Sequence, residues 1–436
     1  MTLAGTHVAI LGVGRSGRAA AALALREGAR VSAWDSSGID AFADMPEGVE
    51  LHPDADIADG RALVCDLLVL SPGIETDGPF ASAFATGAGE VIGEVELASR
   101  HYGGTMVGIT GTNGKTTTTA IIGRILEHAG MGGTPCGNFG TPFAEVVMRA
   151  DPPRAVALEL SSFQLETIRT LRPHVAVWLN FAPDHMDRYP DLAAYHAAKS
   201  RIFINQTSDD VAVVRGGEEL PPLAARVTTF STTDPGADWF SDGHDIRHQG
   251  SVVLSLDRDT ALRGLHNAEN VMAAMASCAA LGIAPEVMRE ALRGFAPPLH
   301  RCEWVRTLDG VEYLNDSKAT NLHALESALR SQTRPVVLIA GGKEKGLDYS
   351  TVLPLLREKV LTAVTFGQIS RPLAAVFSDA VRTEAVATLE EAVQVARTLA
   401  PVGSCVLLSP GTSSFDQFTG YEQRGDSFRD LVHQLH

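Results

Sequence analysis

The sequence predicts an α/β protein of three domains, each built around a mostly parallel sheet. Three observations point there. Short apolar runs alternate with helix-compatible segments along most of the chain, the pattern of parallel strands joined by crossover helices. Glycine-rich turns sit between such a run and such a segment at 12–17 and again at 111–114. Finally, 436 residues are too many for one compact core.

Composition sets the outer limits. Apolar residues make up 45% and charged residues 20%, with no long low-complexity tract, so the chain is globular. A net charge of −16 argues against nucleic acid or an anionic membrane surface as the main partner, because both reward clustered Lys and Arg. Small anionic substrates stay open, since a phosphate needs only a local nest of N–H groups and one or two cations. The five cysteines are scattered without a C-x-x-C pair, so free thiols are expected. No basic segment precedes the first apolar run, and the alanine-rich stretch 19–25 is too short to span a bilayer. A soluble, cytoplasmic protein is the expectation.

The first domain is placed at 1–98. Residues 7–11 (H-V-A-I-L) read as a buried strand, followed by G-V-G-R-S-G, an alanine-rich helix, a second strand at 30–34 and Asp35. A full G-x-G-x-x-G between strand and helix, with an acid 18 positions beyond Gly17, marks a Rossmann-like unit. From the residues alone three readings stay open: NAD(P), a mononucleotide phosphate on the same helix N-terminus, or glycines that serve packing only. A later strand, 66–70, ends in S-P-G-I, at the kind of strand C-terminus where ligands collect in open sheets.

The central domain, 99–297, is read as a P-loop ATPase-type parallel sheet with a small β-rich part. Its first strand runs into G-T-N-G-K-T (111–116) and a helix-compatible segment, 120–128. Glycines let successive N–H groups face one cavity, Lys115 would reach the β- and γ-phosphates, and the Thr116 hydroxyl would take a place on Mg²⁺. The strict motif wants glycine at 109, where this chain has Ile109. The Gly/Pro-rich stretch 130–142 reads as a binding loop. Strands 155–160 and 175–180 then lead into E-L-S-S-F-Q-L-E (159–166) and D-H-M-D-R-Y (184–189). Acids and a histidine at adjacent strand ends beside a phosphate loop are the expected place for metal ligands. Lys199, on the following helix, reads by default as a solvated lysine. Residues 210–260 read as a β-rich excursion. Asn267 and Asn270 open an alanine-rich helix, either as caps or as readers of a purine edge.

Pro297–Pro298 marks a boundary, and 298–436 reads as a second Rossmann-like domain. Strands at 311–314, 335–340, 361–366 and 405–408 end in N-D-S-K-A-T-N (315–321), G-G-K-E-K-G (341–346), Gly367 and S-P-G-T-S-S-F-D-Q-F (409–418). Cations and hydroxyls gathered on one sheet edge suit an anionic substrate such as an amino-acid carboxylate.

Taken in order, these motifs resemble those of the Mur ligase family over nearly the whole chain: G-I-T-G-T-N-G-K-T, E-L-S-S-F-Q-L, D-H-M-D-R-Y with Y-H-A-A-K (195–199), H-N-A-E-N (266–270), H-R (300–301), N-D-S-K-A-T-N, and S-P-G-T-S-S-F-D-Q-F with E-Q-R-G (422–425). The resemblance implies an ATP-dependent amide ligase of peptidoglycan precursor synthesis. It would join D-glutamate to UDP-N-acetylmuramoyl-L-alanine through an acyl phosphate, as a monomer with no nucleic-acid or membrane partner. It assigns the first domain to UDP rather than NAD. It also implies Gly111, Thr112, Asn113, Gly114, Lys115, Thr116, Asn270, Arg301 and Asp316 on ATP, and Thr116, Glu159, His185 and a carbamylated Lys199 at Mg²⁺. Lys115, His185 and Lys199 would be catalytic. Arg15, Ser16, Asp35, Ser36, Gly73, Asn138, Ser161 and Gln164 would contact the UDP-substrate, and Lys318, Thr320, Lys345, Ser414, Phe415 and Tyr421 the glutamate. Two departures stand out: Ser37 occupies a position where a basic residue near the uracil is familiar, and 322–326 receives no role. A sister amide ligase, an NAD(P)-dependent oxidoreductase and a non-catalytic nucleotide switch are the alternatives.

Overall fold

The computed structural model describes residues 2–185, 188–262, 264–296, 299–330, 332 and 334–436. Met186 and Asp187 of the D-H-M-D-R-Y motif and the expected boundary at Pro297–Pro298 lie outside them. Contacts divide the chain into two compact units, Met1–Thr260 with Glu269–Phe295, and Ala261–Ala268 with Ala296–His436.

The first unit opens with β1 (His7–Leu11), β2 (Arg30–Trp34), β3 (Glu50–His52), β4 (Cys65–Leu70) and β5 (Ala88–Gly93), a parallel sheet ordered β3-β2-β1-β4-β5. The middle strand β1 is buried on both faces after His7, which is why it reads as an unbroken apolar run. The strand order reverses between β1 and β4. That places the 12–17 turn and the 71–74 loop on the two sides of one crevice. Gly17 is fixed by sterics: a Cβ there would stand 1.9 Å from the Gly12 carbonyl oxygen. Behind it, the helix Arg15–Arg26 buries Ala20, Ala21, Leu23 and Ala24 against the sheet.

The same unit holds a second sheet: β6 (Thr105–Thr110), β7 (Gly132–Gly137), β8 (Ala155–Glu159), β9 (Val175–Trp178), β10 (Val211–Arg215), β11 (Arg226–Ser231), β12 (Trp239–Ser241), β13 (Asp245–His248) and β14 (Ser251–Ser255). Their order is β14-β13-β12-β11-β10-β9-β6-β8-β7, parallel up to β12 and antiparallel beyond. Two expectations are corrected here. The 130–142 stretch is not only a loop, because 132–137 forms the edge strand β7, paired to β8 alone. An edge tolerates Pro135, whose missing N–H costs nothing on the unpaired side. Nor are residues 210–260 an excursion: β10 and β11 continue the main sheet in parallel, and only β12–β14 form an appended meander.

The second unit contains β15 (Glu303–Leu308), β16 (Val311–Asn315), β17 (Val336–Gly341), β18 (Val360–Phe366), β19 (Arg382–Ala385) and β20 (Cys405–Leu408), ordered β15-β16-β20-β17-β18-β19. Alternation along β17 splits the core. Val336, Leu338 and Ala340 face one cluster with Leu325 and Phe377; Val337 and Ile339 face another with Val393 and Phe428. Strands β15 and β19 were absent from the expected set. The hairpin β15–β16 turns on Asp309 and Gly310, both at positive φ (50° and 76°), as a two-residue turn requires. Strand β19 (R-T-E-A) is a polar edge without an apolar signal.

Candidate active site

Strand β6 runs through Thr110, so Ile109 is a buried strand residue and the phosphate loop starts two positions later, at Gly111. Gly111 (φ 148°) and Gly114 (φ 82°) carry the turn. A Cβ on Gly114 would stand 2.2 Å from the Asn270 amide oxygen, so a side chain has no room there. The helix begins at Lys115 itself, earlier than the expected 120–128 segment, and therefore points its N-terminus into the loop.

The loop is braced from the end of β9. Asn180 accepts from the Asn113 N–H (2.9 Å) and donates to the Asn113 carbonyl (3.2 Å), while its own carbonyl accepts from the Thr112 N–H at 3.0 Å. The sequence reading gave Asn180 no role. The signal that could have found it is its place at the end of the apolar run 175–180, a strand C-terminus like that of the phosphate loop.

Inside this frame two lysines converge. Lys115 Nζ donates to the Gly111 and Thr112 carbonyls at 2.8 Å each, and Lys199 Nζ donates to the same Gly111 oxygen at 2.8 Å. Lys199 is only 1% exposed, which overturns the solvated-lysine default. Burial, and then the neighbouring Lys115 charge, hold its pKa well below the ordinary lysine value.

Glu159 ends β8 and is 2% exposed. Its Oε1 accepts from Asn138 Nδ2 at 2.8 Å, whereas Oε2 is buried without a hydrogen-bond partner among the described residues. An orphaned carboxylate oxygen beside a phosphate loop fits a hard cation, and with the buried Thr116 hydroxyl it offers oxygen donors. No group of three or more His, Cys, Asp or Glu suited to a metal occurs among the described residues. His185 sits in a left-handed backbone (φ 56°) with its ring edge-on to Phe163 at 4.9 Å and to Tyr195 at 6.0 Å. Asn270 is not a cap: it lies inside the helix Leu265–Ala280, and its oxygen accepts from Thr118 Oγ1 at 3.2 Å.

At the first crevice, the Asp35 carboxylate accepts from the N–H groups of Val13 (3.0 Å) and Ser37 (2.9 Å) and so ties the 12–17 turn to the end of β2. Arg15 donates to the Gly140 carbonyl at 2.9 Å. Ser16 is half-buried at the start of that helix, and Ser36 and Gly73 are exposed. Ser161 and Gln164 cap each other at the start of the helix Ser162–Glu166. Arg188, which the sequence reading left without a role, stacks 4.0 Å over Phe163 and donates to the Ile74 carbonyl at 3.0 Å.

In the second unit, Asp316 accepts from Ser409 Oγ (2.9 Å) and the Cys302 N–H (3.2 Å). Burial pushes its carboxyl up to about 7, against the opposing effect of the Ser409 and Cys302 hydrogen bonds and then of the Arg301 charge. Lys318 Nζ lies 3.7 Å from the centre of the Tyr421 ring, and Lys345 Nζ donates to the Thr320 carbonyl at 3.2 Å. Ser414 is buried and Phe415 exposed on the same loop.

A phosphate loop on a parallel sheet, buried oxygen donors beside it and cation-rich loops on a second α/β unit define a nucleotide-using enzyme. Two family models match the chain, the Mur ligase middle domain over 109–278 and the Mur ligase glutamate ligase domain over 300–411. The chain belongs to the Mur ligase family and is an ATP-dependent ligase. It is 41% identical to the UDP-N-acetylmuramoylalanine–D-glutamate ligase of Myxococcus xanthus, with 100% of both chains covered. The enzyme of that name from Acidobacterium capsulatum is 39% identical, over 99% of this chain and 97% of its own. Among solved structures the fold is similar to the UDP-N-acetylmuramate–alanine ligase of Thermotoga maritima (TM-score 0.61, 18% identity, 98% and 99% covered). It is equally similar to the MurF ligase of that organism, solved in complex with ADP (TM-score 0.61, 17% identity, 99% and 96% covered).

Proposed function

We propose that this chain joins D-glutamate to UDP-N-acetylmuramoyl-L-alanine at the expense of ATP, in the assembly of a peptidoglycan precursor. The observation that carries the reading is the full-length identity to ligases of that name, together with the Lys115–Gly111–Lys199 arrangement beside an orphaned Glu159 oxygen.

A carboxylate is a poor electrophile. Transfer of the γ-phosphoryl group of ATP to one of its oxygens gives an acyl phosphate, attack by the glutamate amine forms the amide, and inorganic phosphate leaves. Gly111, Thr112, Asn113, Gly114, Lys115 and Thr116 bind the ATP phosphates, the backbone N–H groups and Lys115 compensating their charge. Asn270, Arg301 and Asp316 are assigned to the rest of the nucleotide. Mg²⁺, held by Thr116, Glu159 and His185, would supply charge neutralisation on the transferring phosphoryl group. The depressed pKa of Lys199 favours the neutral amine, the form that adds CO₂ with loss of a proton to give a carbamate. Such an anion is a metal ligand, whereas an ammonium is not.

The first crevice is assigned to the UDP moiety through Arg15, Ser16, Asp35, Ser36 and Gly73, with Ser161 and Gln164 toward the muramoyl-alanine part, while Asn138, first expected at the diphosphate, is assigned to orienting Glu159. Lys318, Thr320, Lys345, Ser414, Phe415 and Tyr421 take the glutamate. Domain limits of 1–98, 99–297 and 298–436 fit these assignments. We infer a monomer and a cytoplasmic location, where both nucleotide substrates occur and the free cysteines stay reduced. Among the described residues no helix is long and apolar enough to cross a membrane.

Mass analysis of the product formed from ATP, UDP-N-acetylmuramoyl-L-alanine and D-glutamate tests the reading. One added glutamate residue is expected; unchanged sugar nucleotide, with ATP intact, would contradict it.

A further inference from the structure

Arg424 lies on the first turn of the helix Tyr421–Gln434 and is fully buried. Buried guanidinium groups are normally compensated by a carboxylate. Among the described residues, none of its hydrogen bonds reaches one. Its Nε donates to Ser317 Oγ at 3.0 Å and Nη2 to the Ser317 carbonyl at 2.8 Å. Both Nη1 and Nη2 donate to the Thr412 carbonyl at 3.2 Å. Ser317 Oγ passes the network on to the Tyr421 carbonyl at 2.8 Å.

A third loop closes on the same group. Gly342 has φ 136°, and a Cβ there would stand 3.1 Å from Arg424 Nη1 and 2.3 Å from the Ser413 carbonyl oxygen. Next to it, the Lys343 N–H donates to the Ser413 carbonyl at 2.9 Å, and Thr412 Oγ1 donates to the Lys343 carbonyl at 2.5 Å. The loops 315–321, 341–346 and 409–415 therefore meet at one side chain. Lys318, Thr320, Lys345, Ser414 and Phe415 all stand on them, and Tyr421 is on Arg424's own helical turn.

We propose that Arg424 is the positioning residue of the amino-acid pocket, locking its three loops in register and leaving a positive charge beneath them that favours a dicarboxylate substrate. The inference rests on the assignment of these loops to glutamate. Burial lowers the guanidinium pKa to about 10, so the charge persists at neutral pH. Lysine keeps the charge but not the planar fork that reaches two carbonyls at once.

The test is steady-state kinetics of Arg424→Lys and Arg424→Met, with each substrate varied separately, alongside thermal melting. KM for D-glutamate should rise roughly tenfold or more, the loss expected for hydrogen bonds from a charged group, while KM for ATP and for the sugar nucleotide stays within about twofold. Added guanidinium should partly restore glutamate affinity to Arg424→Ala. Equal rises in all three KM values, with a lowered Tm in both variants, would reduce Arg424 to a structural part and overturn the inference. Ser414→Ala separates the two levels. If it raises KM for D-glutamate and the Arg424 variants do not, the positioning role fails alone. If neither moves it, the assignment of the loops fails as well. Should Arg424→Met not fold, Arg424→Lys carries the test.

Discussion

Two ammonium groups, those of Lys115 and Lys199, donate to one carbonyl oxygen, that of Gly111. Burial first, and then the neighbouring Lys115 charge, disfavour the ammonium form of Lys199. Asn138 shows how a local partner redirects an assignment. It was expected at the uridine diphosphate, yet its amide holds one oxygen of Glu159 and leaves the other oxygen bare. Partners that orient metal-binding carboxylates typically account for about 10–100-fold in metal affinity. Asn138→Ala should therefore raise the Mg²⁺ concentration needed for half-maximal activity by about that factor. A rise in KM for the sugar nucleotide with an unchanged Mg²⁺ requirement would return Asn138 to the diphosphate.

At the scale of elements, the parts of the fold with a two-sided apolar signal were legible. Strands β1, β2, β4, β8, β9 and β20 fall within a residue or two of their expected bounds, because strands buried on both faces leave continuous apolar runs. Edges were not legible. β7 is built of glycine, threonine, proline and cysteine, β19 is polar, and β12–β14 are short pieces of a meander whose partners decide their state. The burial of Lys199 was hidden for a related reason: the carbonyl that receives it is 88 residues away in sequence. Glycine positions, by contrast, transmit their constraint directly. Gly17→Ala would drive a methyl group into the Gly12 carbonyl, 1.9 Å away. It should destabilise the first sheet by about 1–3 kcal/mol or more, read as a lower urea midpoint. A variant as stable as the parent would show that the turn can relax and that the glycine is not steric in origin.

For the molecule as a whole, stability should carry a signature of Glu94. This residue begins the helix Glu94–Ser99 and is 2% exposed. One of its oxygens accepts from the Ala144 N–H at 2.6 Å, and the other has no partner among the described residues. Burial, reinforced by the charge of Glu145, pushes its carboxyl from 4.5 up to about 7. A folded-state pKa above the unfolded value means the folded chain binds the extra proton. Its contribution is therefore full below about 4.5 and is lost as pH rises through about 7. Denaturant titrations at pH 5.5 and 8 should show the parent losing more stability than Glu94→Gln over that interval, by on the order of 1–3 kcal/mol. Equal pH slopes for the two proteins would remove Glu94 from the account.

The proposed ligation requires that ATP turnover at the phosphate loop be coupled to the amino acid. Phosphate release from ATP and UDP-N-acetylmuramoyl-L-alanine, measured with D-glutamate, with L-glutamate and with no amino acid, tests it most directly. Release should depend on D-glutamate, with one phosphate for each amide formed, and should disappear in Lys115→Ala. Release that ignores the amino acid, or that survives the loss of Lys115, would contradict it.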